Sequence, residues 1–213
     1  MIISNVQPEF QTSWAELVRL DPVHPVDEKK DLVRRFGHDR IIYTMMADGA
    51  PAAMLQVALT KSAPLTATEL WNKKEQEEPF FYAVFYSVFR LPAGDAVKGS
   101  VRDLIFGAAN DLRERFPTID KYITLSPIPS LRKNFKKKPE LEEVQEFVVA
   151  KKDPVARFHM ANGALPWAVR PGADFSKLRR TESWGYMASY DYTPLLNNTV
   201  EPMSLSPILQ PVT

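Results

Sequence analysis

Apolar residues recur along this chain with two periods, and the points where the period changes divide it into elements. Trp14, Leu17, Val18 and Leu20 fall at roughly helical spacing near the start. The stretch DPVHPVDEK then places two prolines in a loop, and Asp27 to Phe36 reads as a short helix capped by an acidic residue. RIIYTMMADGAPAAMLQVALT predicts two strands joined at Asp48-Gly49, a favourable hairpin dipeptide. SAPLTATELWNKKEQEEP is more polar. Thr66 or Thr68 is placed to cap a helix there, and its charged end predicts an exposed excursion. Phe80 to Phe89 is continuously apolar and rich in aromatic and β-branched residues, the pattern of a central strand buried on both faces. After the turn region RLPAGDAVKGS, Val101, Leu104, Ile105, Ala108, Leu112 and Phe116 trace one face of a helix, which Phe116-Pro117 ends. Tyr122 to Leu125 is the next strand and runs into a Ser-Pro-Ile-Pro turn. Strand, glycine-containing loop, helix and strand make a parallel βαβ unit, with the loop aimed at the strands' C-terminal edge.

The second half is less regular. LRKNFKKKPELEEVQEFVVAKK reads as a basic-then-acidic connector. Asp153-Pro154 then opens a short helix, with Asp as N-cap and Pro at the first helical position, and Gly163 ends it. Val155 and His159 lie four residues apart and share a face of that helix. LPWAV and SWGYMASYDY supply two late strands, expected to be antiparallel. From Thr193 the proline-containing sequence has little pattern and reads as a tail, disordered or laid over the surface. Leu205 to Ile208 repeats Leu-Ser-Pro-Ile with no strand ahead of it or histidine helix behind it, a coincidence of sequence.

Composition narrows the possibilities. The 213 residues suffice for a single domain with a sizeable core, expected over residues 1–193 with residues 194–213 as the tail. Basic and acidic residues number 27 and 26, so no global field draws the chain to nucleic acid or a membrane surface. Cysteine is absent, which removes disulfides, thiolate nucleophiles and cysteine-based zinc sites. The three histidines have no metal-ligand spacing. The N-terminal sequence has neither the basic region nor the apolar run of a signal peptide. The longest apolar run, FFYAVFYSVF, spans ten residues, about half a bilayer-crossing helix. These features predict a cytoplasmic protein.

Local chemistry offers a few candidates, each with a plain alternative. Ser126 before proline at a strand end is either a turn-capping hydroxyl or a catalytic one, and His159 in a short apolar helix is either a core histidine or a functional one. Gly94 and Gly99 precede a helix whose N-terminus suits an anion, yet match neither phosphate-loop pattern. Lys136, Lys137 and Lys138 read as a solvated face. Spacing by itself therefore reaches an α/β domain with an anion site at a helix N-terminus.

Five segments add a resemblance. Val57 to Thr60 (VALT), Val84 to Val88 (VFYSV), Leu125 to Pro129 (LSPIP), Asp153 to Ala164 (DPVARFHMANGA) and Gly185 to Tyr192 (GYMASYDY) are similar, in order, to the catalytic domain of malonyl-CoA decarboxylases. The resemblance spans about residues 34 to 193. It implies a GNAT acyltransferase-like α/β fold, a mixed and splayed sheet flanked by helices that accepts the pantetheine arm of an acyl-CoA between two strands. It implies Ser126 as catalytic serine, His159 as catalytic histidine and Tyr192 as the tyrosine supporting the histidine. Lys98, Gly99, Ser100, Arg132, Lys133, Arg179 and Asn162 are the expected contacts of the CoA or pantetheine, with the diphosphate at the N-terminus of the helix after Lys98; the plain alternative for Lys98, Arg132, Lys133 and Arg179 is a solvated surface charge.

The implied reaction needs such residues. Loss of CO₂ from a malonyl thioester leaves an enolate, whose oxygen requires hydrogen-bond donors and whose carbon requires a proton. A histidine working near its ordinary pKa can supply both. On this reading His159 polarises the thioester and reprotonates C2 while Ser126 orients the departing carboxylate, or the two exchange roles. No metal or organic cofactor is expected, because the thioester is the electron sink. The substrate is malonyl-CoA or a malonyl group on an acyl carrier protein, and a homo-oligomer is compatible. An acyltransferase and a non-catalytic acyl-CoA or carrier-protein binding module are the alternatives. Four departures from the family pattern stand out. The long helical N-terminal domain is missing from this sequence, and the segment between LSPIP and DPVARFH is short. Gly99 stands where the family has a carboxylate, which Asp95 or Asp103 would have to replace, and Ser189 stands in place of an asparagine.

Overall fold

A computed structural model describes residues 2–5, 11–25, 29–72, 75–92 and 100–197 of the chain. They fall into two compact units, Met1–Ala63 with Lys73–Asp120 and Pro64–Asn72 with Lys121–Thr213. In the first unit β1 (Ile2–Asn5), β2 (Arg40–Ala47), β3 (Ala50–Thr60) and β4 (Tyr82–Arg90) lie side by side in that order, each antiparallel to the next. The predicted Asp48-Gly49 turn joins β2 to β3, with φ of 49° and 80° at its two residues. Positive φ at both positions lets a two-residue turn follow the twist of its strands, which glycine accepts without strain.

Helices cover both faces of this sheet. From α1 (Gln11–Val18) and α2 (Lys29–Arg34) come Trp14, Leu17, Val18 and Leu32, packed with Phe36 against Ile42, Met54 and Phe89. Tyr43, on the opposite face by the alternation of the strand, donates to Asp111 of α4 (Ser100–Arg115) at 2.6 Å. Val101, Leu104, Ile105, Ala108 and Leu112 of α4 are buried, as their spacing predicts. Coverage on both sides accounts for the unbroken buried run from Ala83 to Ser87 in β4. Among the described residues, one of the buried ionic groups is built on Arg35. Arg35 donates to Asp21 (2.7 Å), to Gln56 (3.0 Å) and to the His24 carbonyl, and Asp21 also accepts from Gln56 (2.9 Å). Both charges are almost wholly buried, and the shared hydrogen bonds offset their loss of water.

The second unit is built around β8 (Met187–Asp191). It pairs antiparallel with β5 (Lys121–Thr124) at Ile123 and Asp191, and with β6 (Ser126–Pro127) at Ser126 and Ala188. It also pairs with β7 (Leu165–Arg170), which supplies the predicted antiparallel neighbour. The strand, helix and strand expected in the middle of the chain are β4, α4 and β5 in order. Thr66, not Thr68, caps α3 (Ala67–Asn72), its hydroxyl accepting from Glu69 N at 3.0 Å.

Two expectations change here. Ser-Pro-Ile-Pro does not begin as a turn: Ser126 and Pro127 are paired strand residues, and the chain turns only after Ile128. The connector is not featureless either. It folds into α5 (Leu131–Asn134) and α6 (Leu141–Val149), which buries Val144, Phe147 and Val148. Glu143 accepts from Glu140 N at 2.8 Å, half of a capping box. That box was legible as Glu-x-x-Glu before an apolar run, but the density of charge masked it. The short α8 (Lys177–Ser183), also unanticipated, is capped by Ser176 accepting from Arg179 N. The chain described ends in α9 (Thr193–Leu196); the predicted tail beyond residue 197 lies outside the described residues.

Candidate active site

Three segments of the second unit bring their side chains to one point. β5 and β6 keep a single register against β8, with Ile123 opposite Asp191 and Ser126 opposite Ala188. Thr124 and Ser126, two residues apart, therefore share a face, as do Tyr190 and Tyr192. α7 (Pro154–Ala161) lays His159 against them. Its cap is the predicted one: Asp153 accepts from Val155 N (2.8 Å) and Ala156 N (3.4 Å). The other oxygen of Asp153 accepts from Ser130 N (3.1 Å) and Ser130 Oγ (2.6 Å), which ties the turn after Ser126 to the helix carrying His159. Gly163 closes the helix at φ 91°, where a Cβ would also strike the Leu195 side chain.

His159 is held from three directions. Its Nε2 lies 3.1 Å from Ser126 Oγ and its Nδ1 lies 2.9 Å from the Tyr192 hydroxyl. The Tyr190 ring stacks on the imidazole, with centroids 4.6 Å apart and planes at 24°. Two hydrogen bonds at opposite nitrogens leave the ring free to tilt about the line joining them, and the stacked tyrosine opposes that tilt. Ser126 Oγ donates in turn to Thr124 Oγ1 at 2.9 Å, and Tyr190 N donates to the same oxygen at 3.1 Å.

Burial sets the charge. His159 is 5% exposed, and desolvation pulls its pKa from 6.5 down to about 3. This corrects the expectation of a histidine titrating near neutral pH: the imidazole is neutral across the physiological range. Burial pushes the Tyr192 phenol up, so Tyr192 keeps its proton. A phenol is the stronger donor, and a neutral imidazole nitrogen is the stronger acceptor. With Tyr192 as the donor to Nδ1, the ring proton sits on Nε2, facing Ser126. Among the described residues no carboxylate touches His159. Tyr192 is the described partner of Nδ1.

The remaining predicted contacts are dispersed. Arg132 is exposed, donates to the Arg180 carbonyl at 3.1 Å and lies 4.7 Å over the Trp184 ring. Lys133 is exposed. Arg179 is 4% exposed and paired with Glu182 at 2.5 Å. Asn162 donates to the Phe158 carbonyl at 2.9 Å, capping its own helix. Ser100 opens α4, where Asp103 is exposed; Lys98, Gly99 and Asp95 lie outside the described residues. Thr124 and Tyr190 went unrecognised in the sequence. The alternations Thr-x-Ser and Tyr-x-Tyr, one on each side of a strand pair, are the signal that could have found them.

A buried serine, histidine and tyrosine gathered on a small α/β sheet define the class first. Comparison with solved structures gives that fold a name, GNAT-like. A malonyl-CoA decarboxylase from Agrobacterium vitis superposes with a TM-score of 0.75 at 21% identity, covering 90% of this chain and 60% of its own. The GphF GNAT-like decarboxylase, solved in complex with isobutyryl-CoA, superposes with a TM-score of 0.66 at 15% identity, covering 90% of this chain and 98% of its own. The particular family follows from sequence: residues 12–153 match the malonyl-CoA decarboxylase C-terminal domain, and the chain belongs to that family. The match takes in Ser126 and ends at the cap of the helix that carries His159. Mitochondrial malonyl-CoA decarboxylase of Mus musculus is 26% identical over 247 positions, covering 81% of this chain and 49% of the relative. The chain thus spans about half the length of the curated relatives it matches. An alignment longer than the 213-residue chain itself means that the relative carries insertions. Among the described residues, no helix is long and apolar enough to cross a membrane.

Proposed function

We propose that this chain catalyses the cofactor-independent decarboxylation of a malonyl thioester to the acetyl thioester and CO₂. One observation carries the reading: a neutral, buried His159 clamped between Ser126 at Nε2 and Tyr192 at Nδ1. Malonyl-CoA, the substrate in the family's name, is the first candidate. A malonyl group on an acyl carrier protein has the same reacting thioester and pantetheine arm, and the shorter segment between Ser126 and His159 leaves more room for a protein-borne arm.

The chemistry follows from the geometry. Cleavage of the bond between C2 and the carboxylate leaves its electron pair on C2 and the thioester oxygen as an enolate. The Nε2–H of His159 stabilises that oxygen and then delivers its proton to C2, and the Tyr192 hydroxyl bonded to Nδ1 stabilises the charge left on the ring. Solvent restores the proton once product leaves. Ser126 turns its hydroxyl from Thr124 to orient the departing carboxylate. A dry site strengthens each of these interactions over its value in water.

Incubation with malonyl-CoA and with malonyl-carrier protein, followed by mass spectrometry of the thioester, tests the proposal. Conversion to the acetyl thioester with release of CO₂ supports it. Loss of the whole acyl group only when an amine is supplied means acyl transfer, and an unchanged thioester means binding alone. His159→Ala is expected to lower kcat by about 10²–10⁴-fold, the usual contribution of a positioned acid or base. Full activity in that variant sinks the assignment.

A further inference from the structure

We propose that Thr124 is a positioning residue that sets the proton order of the site: by accepting the Ser126 hydroxyl proton it leaves Ser126 Oγ free to accept the Nε2–H of His159. This role rests on His159 acting as the proton donor of the proposed reaction and deepens it. Ser126 has two described partners, Thr124 Oγ1 at 2.9 Å and His159 Nε2 at 3.1 Å. A hydroxyl has a single proton. Spent on Thr124, that proton is withdrawn from the histidine, and the ring holds its own proton on the nitrogen that faces Ser126. Spent on His159, it forces the ring proton to Nδ1, where it points at Tyr192 and away from Ser126.

Two features make Thr124 the acceptor. Backbone pairing of β8 holds at Ile123 with Asp191 and resumes at Ser126 with Ala188. Between these pairs the Tyr190 N–H goes to the Thr124 side chain, at 3.1 Å. That bond fixes the position of Thr124 Oγ1 and leaves its second lone pair toward Ser126. At the other end of the chain of bonds stands the Tyr192 phenol, a stronger donor than the Thr124 hydroxyl. The order therefore runs from Tyr192 through His159 and Ser126 to Thr124. Thr124 is 1% exposed and His159 5%, so bulk water does not compete for either end. A tautomer set in this way is a catalytic property, because a neutral imidazole delivers a proton only from the nitrogen that carries it.

The test uses the full chain with ¹⁵N-labelled histidine. Nitrogen chemical shifts of His159 report its tautomer without any turnover. The wild type is expected to hold its proton on Nε2. In Thr124→Val, of the same shape but without an acceptor, the proton is expected to move to Nδ1. On malonyl-CoA, kcat is expected to fall about tenfold with KM unchanged, the loss of roughly one hydrogen bond in the transition state. Thr124→Ser restores the acceptor and is expected to return both tautomer and kcat. An Nδ1–H tautomer in the wild type overturns the proposal, as does unchanged Nε2–H in Thr124→Val or a serine variant that behaves like valine. If Thr124→Val fails to fold, Thr124→Ala replaces it: the same shift to Nδ1–H is expected, and unchanged Nε2–H overturns the proposal. A chain with the expected tautomers but no decarboxylation leaves the proton order standing and removes the proposed reaction, so the two failures are distinct.

Discussion

At the scale of single residues, the site depends on a histidine that is neutral because it is dry. Desolvation places the pKa of His159 near 3, far below the range in which enzymes are assayed. The pH profile of kcat is therefore expected to show no inflection near 6.5 between about pH 5 and 8, where an unperturbed histidine titrates. A clear inflection there, abolished by His159→Gln, contradicts a buried neutral imidazole. Tyr192→Phe keeps the ring contact and removes the donor to Nδ1. It is expected to lower kcat by a few-fold to about tenfold with little change in stability, read from steady-state kinetics beside a thermal melt. The side chains that meet the imidazole were only partly legible. Ser126, His159 and Tyr192 stand within recognisable motifs, whereas Thr124 and Tyr190 look like ordinary strand residues until the second strand lies beside the first.

At the scale of elements, Asp153 is the residue on which the site's geometry turns. The sequence marks it as the cap of the His159 helix. The tertiary structure gives it a second task, because its other oxygen binds Ser130 just beyond the strand that carries Ser126. Asp153→Ala removes both and is expected to cost about 2 kcal/mol or more in denaturant unfolding, above the usual worth of a cap alone. Asp153→Asn, which keeps an acceptor for the helix, is expected to lose less. A stability of Asp153→Asn equal to that of the wild type indicates that the tie to Ser130 contributes nothing. The connector carries a similar lesson. Its charged residues mask an apolar stripe of Val144, Phe147 and Val148, and Phe147 meets Phe135 edge-on at 5.6 Å. Its period is helical, but few apolar positions carry it.

At the scale of the whole molecule, buried charge governs the response to acid and to mutation. His159 stays neutral in the native state down to about pH 3, while in the unfolded chain it protonates below 6.5. The unfolded state thus binds more protons in that window. The associated stability is complete above 6.5 and is lost as pH falls from 6.5 towards 3. Asp39 acts in the same direction: burial alone would raise its carboxyl, but its bonds to Arg34 and the charge of Arg40 hold it below 3.8. Unfolding free energy is therefore expected to fall steadily below pH 6.5, and His159→Gln to reduce that slope. In the first unit Arg35→Met strands the Asp21 carboxylate inside and is expected to cost about 3–5 kcal/mol, with part recovered by adding Asp21→Asn. Chemical denaturation of both variants checks this, and recovery absent in the double variant argues against a stranded charge.

The sequence by itself determined β2 to β5, β7 and β8, the long helix, the hairpin at Asp48-Gly49 and the cap at Asp153, because each depends on neighbours a few residues away. It also determined the family, because motif order survives where overall identity is low. Only the tertiary structure decided the protonation of His159, the acceptor for the Ser126 proton and the partners of Arg35. Those depend on residues far apart in the chain, and on how much water is left once they meet.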